Sequence, residues 1–405
     1  MTSRPVVRFL DRSTPPHIFT LVLLTSLSAL AMNVFLPSLN NMTLHFGTEY
    51  WVMQLSVSLY LAVNAVLQIF IGPVSDRFGR RPVLIWSIVA FILATIGTLL
   101  ATTAVTFLFF RMAQAIVVAT MVLSRAVVRD MVPQDEAASM IGYITMGMAI
   151  VPMFAPVFGG LLDQAFGWQA SFVLMLAFGL LTLFLTWRDL GETAVIRPIT
   201  LADQFRQYPE LLVSQRFWGY CLAAALAVGG FFAYLGGAPF VGSELFGLGP
   251  AELGLYFGAP AVGYALGNFV SGRYSVRIGI NRMILTGSVS TVIGIAVLMM
   301  LYSAGLAGAA VFFALFSTVG FGNGLVLPNA TAGMLSVRPH LAGSASGLGG
   351  AMMIGGGAAL SALAGVVLAG GTSAMPLLIV MLVPSIGAVA SILFVMRRAA
   401  RLGLK

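Results

Sequence analysis

An all-α integral membrane protein of twelve transmembrane helices, with both termini cytoplasmic, is the fold class this sequence predicts. Three observations carry that reading. The 405-residue chain is 59% hydrophobic and only 8% charged, against about 25% charged residues in ordinary soluble domains. Its mean hydropathy is +0.99. Finally, the stretches 283–337 and 341–396 hold no Asp, Glu, Lys or Arg, and each is long enough for two spans of ~20 residues joined by a turn. The alternating polarity of a membrane β-barrel strand is absent.

Hydropathy places the spans near 17–37, 51–71, 83–101, 105–125, 138–162, 168–187, 217–239, 253–272, 283–303, 307–329, 342–366 and 374–396. In that layout twenty of the 21 basic residues fall on one side of the membrane. The exception, Arg111, lies inside the fourth span. The opposite loops hold Glu49, Asp163, Glu244 and Glu252 and no Lys or Arg, so the basic side is predicted to be cytoplasmic. The net charge of +8 therefore reads as a topology signal and not as a nucleic-acid surface. The lone Cys221 excludes a disulfide framework, and His17, His45 and His340 are far apart near span ends. No Gly-x-x-x-x-Gly-Lys-Ser/Thr loop occurs and the single lysine is Lys405, which excludes ATP drive within the chain. No His–acid pair or metal cluster lies in the spans, so the chain is not expected to be an enzyme.

The first span ends in Leu27–Leu39, with Asn33 as its embedded polar residue. The second carries Tyr60, Asn64 and Gln68 four residues apart on one face, facing either a cavity or a neighbouring helix. Between the second and third spans, Gly72, Asp76, Arg77, Gly79, Arg80 and Arg81 form a short, basic stretch ending at Pro82. It reads as a tight loop in which the glycines turn the chain and the charges make charge-assisted bonds. In the fourth span, Arg111, Gln114 and Arg129 fall on one side of a helical wheel, with Asp130 following. An arginine in hydrocarbon costs at least ~2.5–3.5 kcal/mol on insertion scales. It should therefore meet a cavity or a partner, or else serve structurally on backbone carbonyls. The fifth span holds Gly147, Pro152, Pro156, Gly159 and Gly160. Small residues on one face permit close helix packing, and two prolines bend the helix.

The long polar connection 188–216 divides the chain into 1–187, a central cytoplasmic loop and 217–405. Gly72, Ser75, Arg77 and Gly79 recur as Gly272, Ser275, Arg277 and Gly279, all offset by 200, the mark of a duplicated six-helix bundle.

The Gly72–Pro82 stretch resembles the loop signature of the major facilitator superfamily, where it latches the cytoplasmic side. Arg111–Gln114 is similar to the family's second motif, with Ala115 where glycine is usual, and the fifth span is similar to its antiporter motif. The end of the first span, Val128-Arg129-Asp130 and Leu327-Pro328-Asn329-Ala330 resemble the Bcr/CflA drug-resistance exporters. The resemblance implies the major facilitator fold in a bacterial inner membrane. It implies a functional monomer exporting small molecules by alternating access, with no cofactor and a proton or other ion gradient as energy source. Family members commonly carry an acid where this chain has Asn33. Proton coupling would then fall to an interfacial acid such as Asp76, Asp130 or Glu49. The alternative is an exporter or importer of one metabolite, by uniport or symport, with no role in drug resistance. With no embedded counter-charge for Arg111, anionic, zwitterionic or dipolar substrates are expected over lipophilic cations.

Overall fold

A computed structural model describes residues 7–131, 151–152, 154–194, 208–338 and 342–401, and among them there is helix and no strand. The long helices are, in chain order, α1 (Ile18–Phe46), α2 (Tyr50–Phe78), α3 (Arg80–Leu99), α4 (Ala104–Val128), α5 (154–166), α6 (Gln169–Asp189), α7 (Gln215–Leu245), α8 (Gly258–Ile278), α9 (Ile280–Ser303), α10 (Ala309–Val337), α11 (Ala342–Leu368) and α12 (Met375–Arg401). Ten are long and apolar enough to cross a membrane, namely all except α5, which is described in part, and α8. Gly147 lies outside the described residues, as do Arg129's side chain and 195–207 of the central connection.

Helices α1 and α4 each contain a 3-10 turn. In α1 a 3-10 turn, Leu36–Ser38 with Pro37 at its start, separates Ile18–Asn33 from Leu39–Phe46, because proline removes an amide donor from the ladder. In α4 a 3-10 turn at Gln114–Val117 follows Arg111, and helical turns resume to Met131. Thr103 and Thr106 form a reciprocal capping box at the start of α4.

The expected loop at 72–82 is mostly helix. α2 runs through Pro73 to Phe78, and α3 begins at Arg80. Gly72 is an ordinary helical residue with open space beside it. Gly79 alone makes the turn, at φ 95 and ψ 151, with its amide on the Ser75 carbonyl at 2.9 Å. Gly279 repeats this between α8 and α9, at φ 89 and ψ 144, with its amide on Ser275 O at 2.9 Å. The 200-residue repeat is thus a repeat of backbone geometry. Side chains other than glycine are essentially excluded from this region. Gly79→Ala and Gly279→Ala should each cost about 1–3 kcal/mol. Gly79→Ala should cost more, because its Cβ would also strike the Glu192 carboxylate whereas Gly279 faces open space. Thermal unfolding of the two variants in detergent checks the order.

Packing falls into two sets. α1 packs on α4 and α6, α2 on α4, and α3 on α4 and α6. α7 packs on α10, α11 and α12, α8 on α10, and α9 on α10 and α12. Each set closes around an aromatic cluster: Phe35, Phe46, Phe107, Trp168 and Phe172 in the first, and Tyr234, Phe257, Phe312, Phe313 and Phe316 in the second. α2 and α11 form the main seam between them. Outward faces carry exposed Trp86, Phe109, Phe184, Phe269, Ile293 and Ile386, a lipid-facing surface in a chain this apolar.

Candidate functional site

Among the described residues the largest fully buried side chain is Arg111, at 0% exposure. Each of its three guanidinium nitrogens donates one hydrogen bond. Nε donates to Ser56 O at 3.2 Å, NH2 to Ala31 O at 2.8 Å and NH1 to Gln114 Oε1 at 2.8 Å. The Phe35 and Tyr60 rings cover it, their centroids 4.3 and 4.0 Å from Cζ. Gln114 passes the connection on by donating to Thr95 Oγ1 of α3 at 2.8 Å. One arginine on α4 therefore ties together α1, α2 and, through Gln114, α3. Among the described residues no carboxylate pairs with it. Guanidinium planarity and its spread of donors suit this sandwich, where a lysine would not fit.

The other embedded polar residues distribute around this centre. Asn33, 4% exposed, turns back on its own helix, donating to Ala29 O at 2.7 Å. Tyr60 is buried against Arg111, and its hydroxyl has no hydrogen-bond partner. Gln68 donates to Asn64 Oδ1 at 2.9 Å and lies against Gly350 of α11. The polar stripe of α2 thus meets α11 at the seam through Gln68 and the Arg111 guanidinium through Tyr60. At the same seam, Gln54 Nε2 donates to Ser361 Oγ at 2.9 Å, and Tyr50 OH to Gly236 O at 2.7 Å.

At the basic-loop end, Arg80 is the hub. It pairs with Asp76, one turn earlier, at 2.5 Å and with Asp130 at 3.2 Å, and it reaches Ser75 Oγ. Arg81 Nε and NH2 donate to the Leu190 and Trp187 carbonyls at the end of α6, at 2.8 and 3.2 Å. Arg77 is exposed and lies over the Phe78 ring. Sequence reasoning missed Glu192, which receives the Arg80 and Arg81 amides at 2.8 and 3.3 Å and so caps α3. It also missed Asp189, fully buried, which accepts from Leu10 N, His17 N and Thr20 Oγ1 at 2.7–2.8 Å and anchors the start of α1. Both lie on the central connection, where their charge reads simply as solubility.

At the acidic-loop end, the small residues of α5 make two kinds of contact. A Cβ on Gly159 would overlap the Val34 carbonyl of α1, within the first set of helices. A Cβ on Gly160 would overlap the Pro250 carbonyl, and one on Gly254 the Pro156 carbonyl. Those two contacts join α5 to the short helix Pro250–Tyr256, across the two sets. Pro152 is half-buried one turn before Pro156. Asp163, which reads in the sequence as a loop acid, is instead part of α5 and 5% exposed.

The model of the Major Facilitator Superfamily matches residues 21–362. A chloramphenicol resistance protein of Pseudomonas aeruginosa is 30% identical over 81% of this chain and 79% of its own. A bicyclomycin resistance protein homolog of Haemophilus influenzae is 27% identical over 87% and 89%. The crystal structure of a D-xylose-proton symporter superposes with a TM-score of 0.73 at 16% identity, covering 93% of this chain and 96% of that one, a likeness of fold alone. The chain belongs to the Major Facilitator Superfamily, in the company of its drug-resistance exporters.

Proposed function

We propose that the protein is a multidrug-type efflux transporter of a bacterial inner membrane. It moves small molecules by alternating access between a bundle at 1–187 and one at 217–405, as a monomer with both termini cytoplasmic. The one-sided distribution of arginine supports that orientation. The observation that carries the reading is a pair of separate contact systems at opposite ends of the buried Arg111 centre. The Arg80 hub, within the first bundle, lies at one end, and the α5 contact with Pro250–Tyr256, which crosses the two bundles, lies at the other. Alternating access requires a closure at each end, the two opening in alternation and never together.

Proton-coupled antiport is the energy source in this scheme, and no cofactor takes part. Asn33 cannot titrate, so coupling uses acids at the ends of the helices, Asp76 and Asp130 among them, both held by Arg80. The buried cation Arg111, with no carboxylate partner among the described residues, favours anionic, zwitterionic or dipolar neutral substrates. In proteoliposomes, adding such a substrate should drive proton flux, and a matched lipophilic cation should drive about tenfold less, the ratio of a 1.4 kcal/mol difference. Preference for the cation would overturn the substrate assignment. Substrate flux without proton flux would overturn antiport.

A further inference from the structure

Asp163 is a buried acid that the scheme above leaves unused. Asn41 Nδ2 donates to its Oδ2 at 2.9 Å. Its Oδ1 and the Ser38 Oγ of the turn Leu36–Ser38 are both buried, and the Ser38 hydroxyl acts on the carboxyl. The Ser38 hydroxyl can donate to an ionised carboxylate or accept from a protonated one, so that pair serves either form, and burial is what favours the neutral carboxyl. Asp163 lies just past the 138–162 span, and burial raises its carboxyl above the ordinary carboxylate range, with Ser38 and Asn41 opposing that rise.

The location gives that proton a consequence. The Leu36–Ser38 turn packs on α7 and on the helix Pro250–Tyr256. Gly160, one turn before Asp163 on α5, is seated on the Pro250 carbonyl. The surroundings of Asp163 are therefore tied to the contact between the two bundles. The acidic and histidine side chains at this end of the neighbouring elements are His45 on α1, Glu49 before α2, Glu244 on α7 and Glu252 on Pro250–Tyr256, and all four are exposed. His45 packs on the Phe46 and Trp168 rings. No ion pair or hydrogen bond joins any of the four to Asp163 among the described residues.

We propose that Asp163 is a proton-binding site of the acidic-end gate, protonated while the bundles are closed over it and deprotonated when they separate. The proton comes from hydronium in the solution at that end, forms the O–H bond on closure and returns there on opening. This inference rests on the alternating-access reading. The sign follows from linkage: the closed form binds the proton more tightly, so acid favours closure and rising pH favours opening. Between the open-form and closed-form pKa values the closed-to-open ratio falls about tenfold per pH unit.

Spin labels on Leu44→Cys, in the last turn of α1, and Thr372→Cys, in the loop before α12, report the gate from the two bundles at this end in the full-length protein. Cys221 is buried and stays unlabelled. The distance between labels should lengthen as pH rises. Asp163→Asn, nearly isosteric and permanently neutral, should hold the short distance at every pH. Asn41→Leu, which removes the donor to the ionised form, should move the midpoint to higher pH. Titration of Asp163→Asn like the parent would overturn the proposal, as would a distance that follows sodium at fixed pH. A distance that responds to substrate but not to pH overturns this site alone. One that responds to neither overturns the alternating-access reading as well.

Discussion

Arg111→Ala abolishes transport and lowers stability by roughly 2–4 kcal/mol, the largest single-residue effect expected in the first bundle. The loss comprises three hydrogen bonds from a charged donor, each about 1.5–3 kcal/mol before compensation. Two aromatic faces go with them, at about 0.5–2 kcal/mol each. Relief of the guanidinium's burial offsets much of that sum, since the charge no longer has to leave water. What remains is a pair of buried carbonyls and a Gln114 with one end unmet. Arg111→Lys separates charge from geometry. A lysine keeps the positive charge but cannot bond three directions in one plane, so it should recover part of the stability and little of the transport. Tyr60→Phe keeps the ring over the arginine and removes a hydroxyl that bonds nothing. Its stability should stay within about 0.5 kcal/mol of the parent, so a loss of transport without a loss of stability gives that hydroxyl a part in transport. Transport assays alongside thermal unfolding in detergent decide the matter. Arg111→Ala that unfolds early yet transports normally would make the arginine a structural tie only.

Arg111 also marks the limit of what the sequence reveals. That it needed a partner was legible from the cost of a cation in hydrocarbon, and Gln114 was legible from its spacing one turn later. The Ala31 and Ser56 carbonyls were not, because a backbone oxygen leaves no residue-type signal. Helix class, order and loop polarity were readable because hydropathy is a one-dimensional property that survives without tertiary contacts. The boundary at Gly72 was misread for a related reason. Hydropathy falls away after Ile71, where the chain leaves the apolar layer, but the hydrogen-bond ladder of α2 continues to Phe78. The acids show the same contrast. Asp76 and Asp130 sat in recognisable motifs, and the structure brings both to Arg80. Glu192, Asp189 and Asp163 gain their partners only when α3, α1 and α5 are folded against them.

The second large effect separates three glycines that look alike in the sequence. Gly160→Ala and Gly254→Ala should leave each bundle folded and drive the bundles apart at the acidic-loop end. Gly159→Ala should instead destabilise the first bundle itself. The distinction rests on what each new methyl group meets. At Gly160 and Gly254 it meets the backbone of the opposite bundle, at Pro250 and Pro156; at Gly159 it meets Val34 of α1 in the same bundle. Backbone carbonyls cannot swing aside as a side chain can, and overpacking of this kind costs about 1–3 kcal/mol. Where the clash spans two bundles, separation relieves it, so the same energy appears as a conformational shift of roughly 5–150-fold toward the open form. Where it lies inside one bundle, separation relieves nothing and the cost appears in unfolding. The Leu44 and Thr372 label pair should accordingly lengthen in Gly160→Ala and Gly254→Ala, with their melting temperatures near the parent's. Gly159→Ala should keep the parent's distance and melt earlier. Combining Gly160→Ala with Gly254→Ala should add little to either alone, because one opening relieves both clashes. Full additivity, or early melting in all three variants, would show that this contact holds the fold and is not a gate.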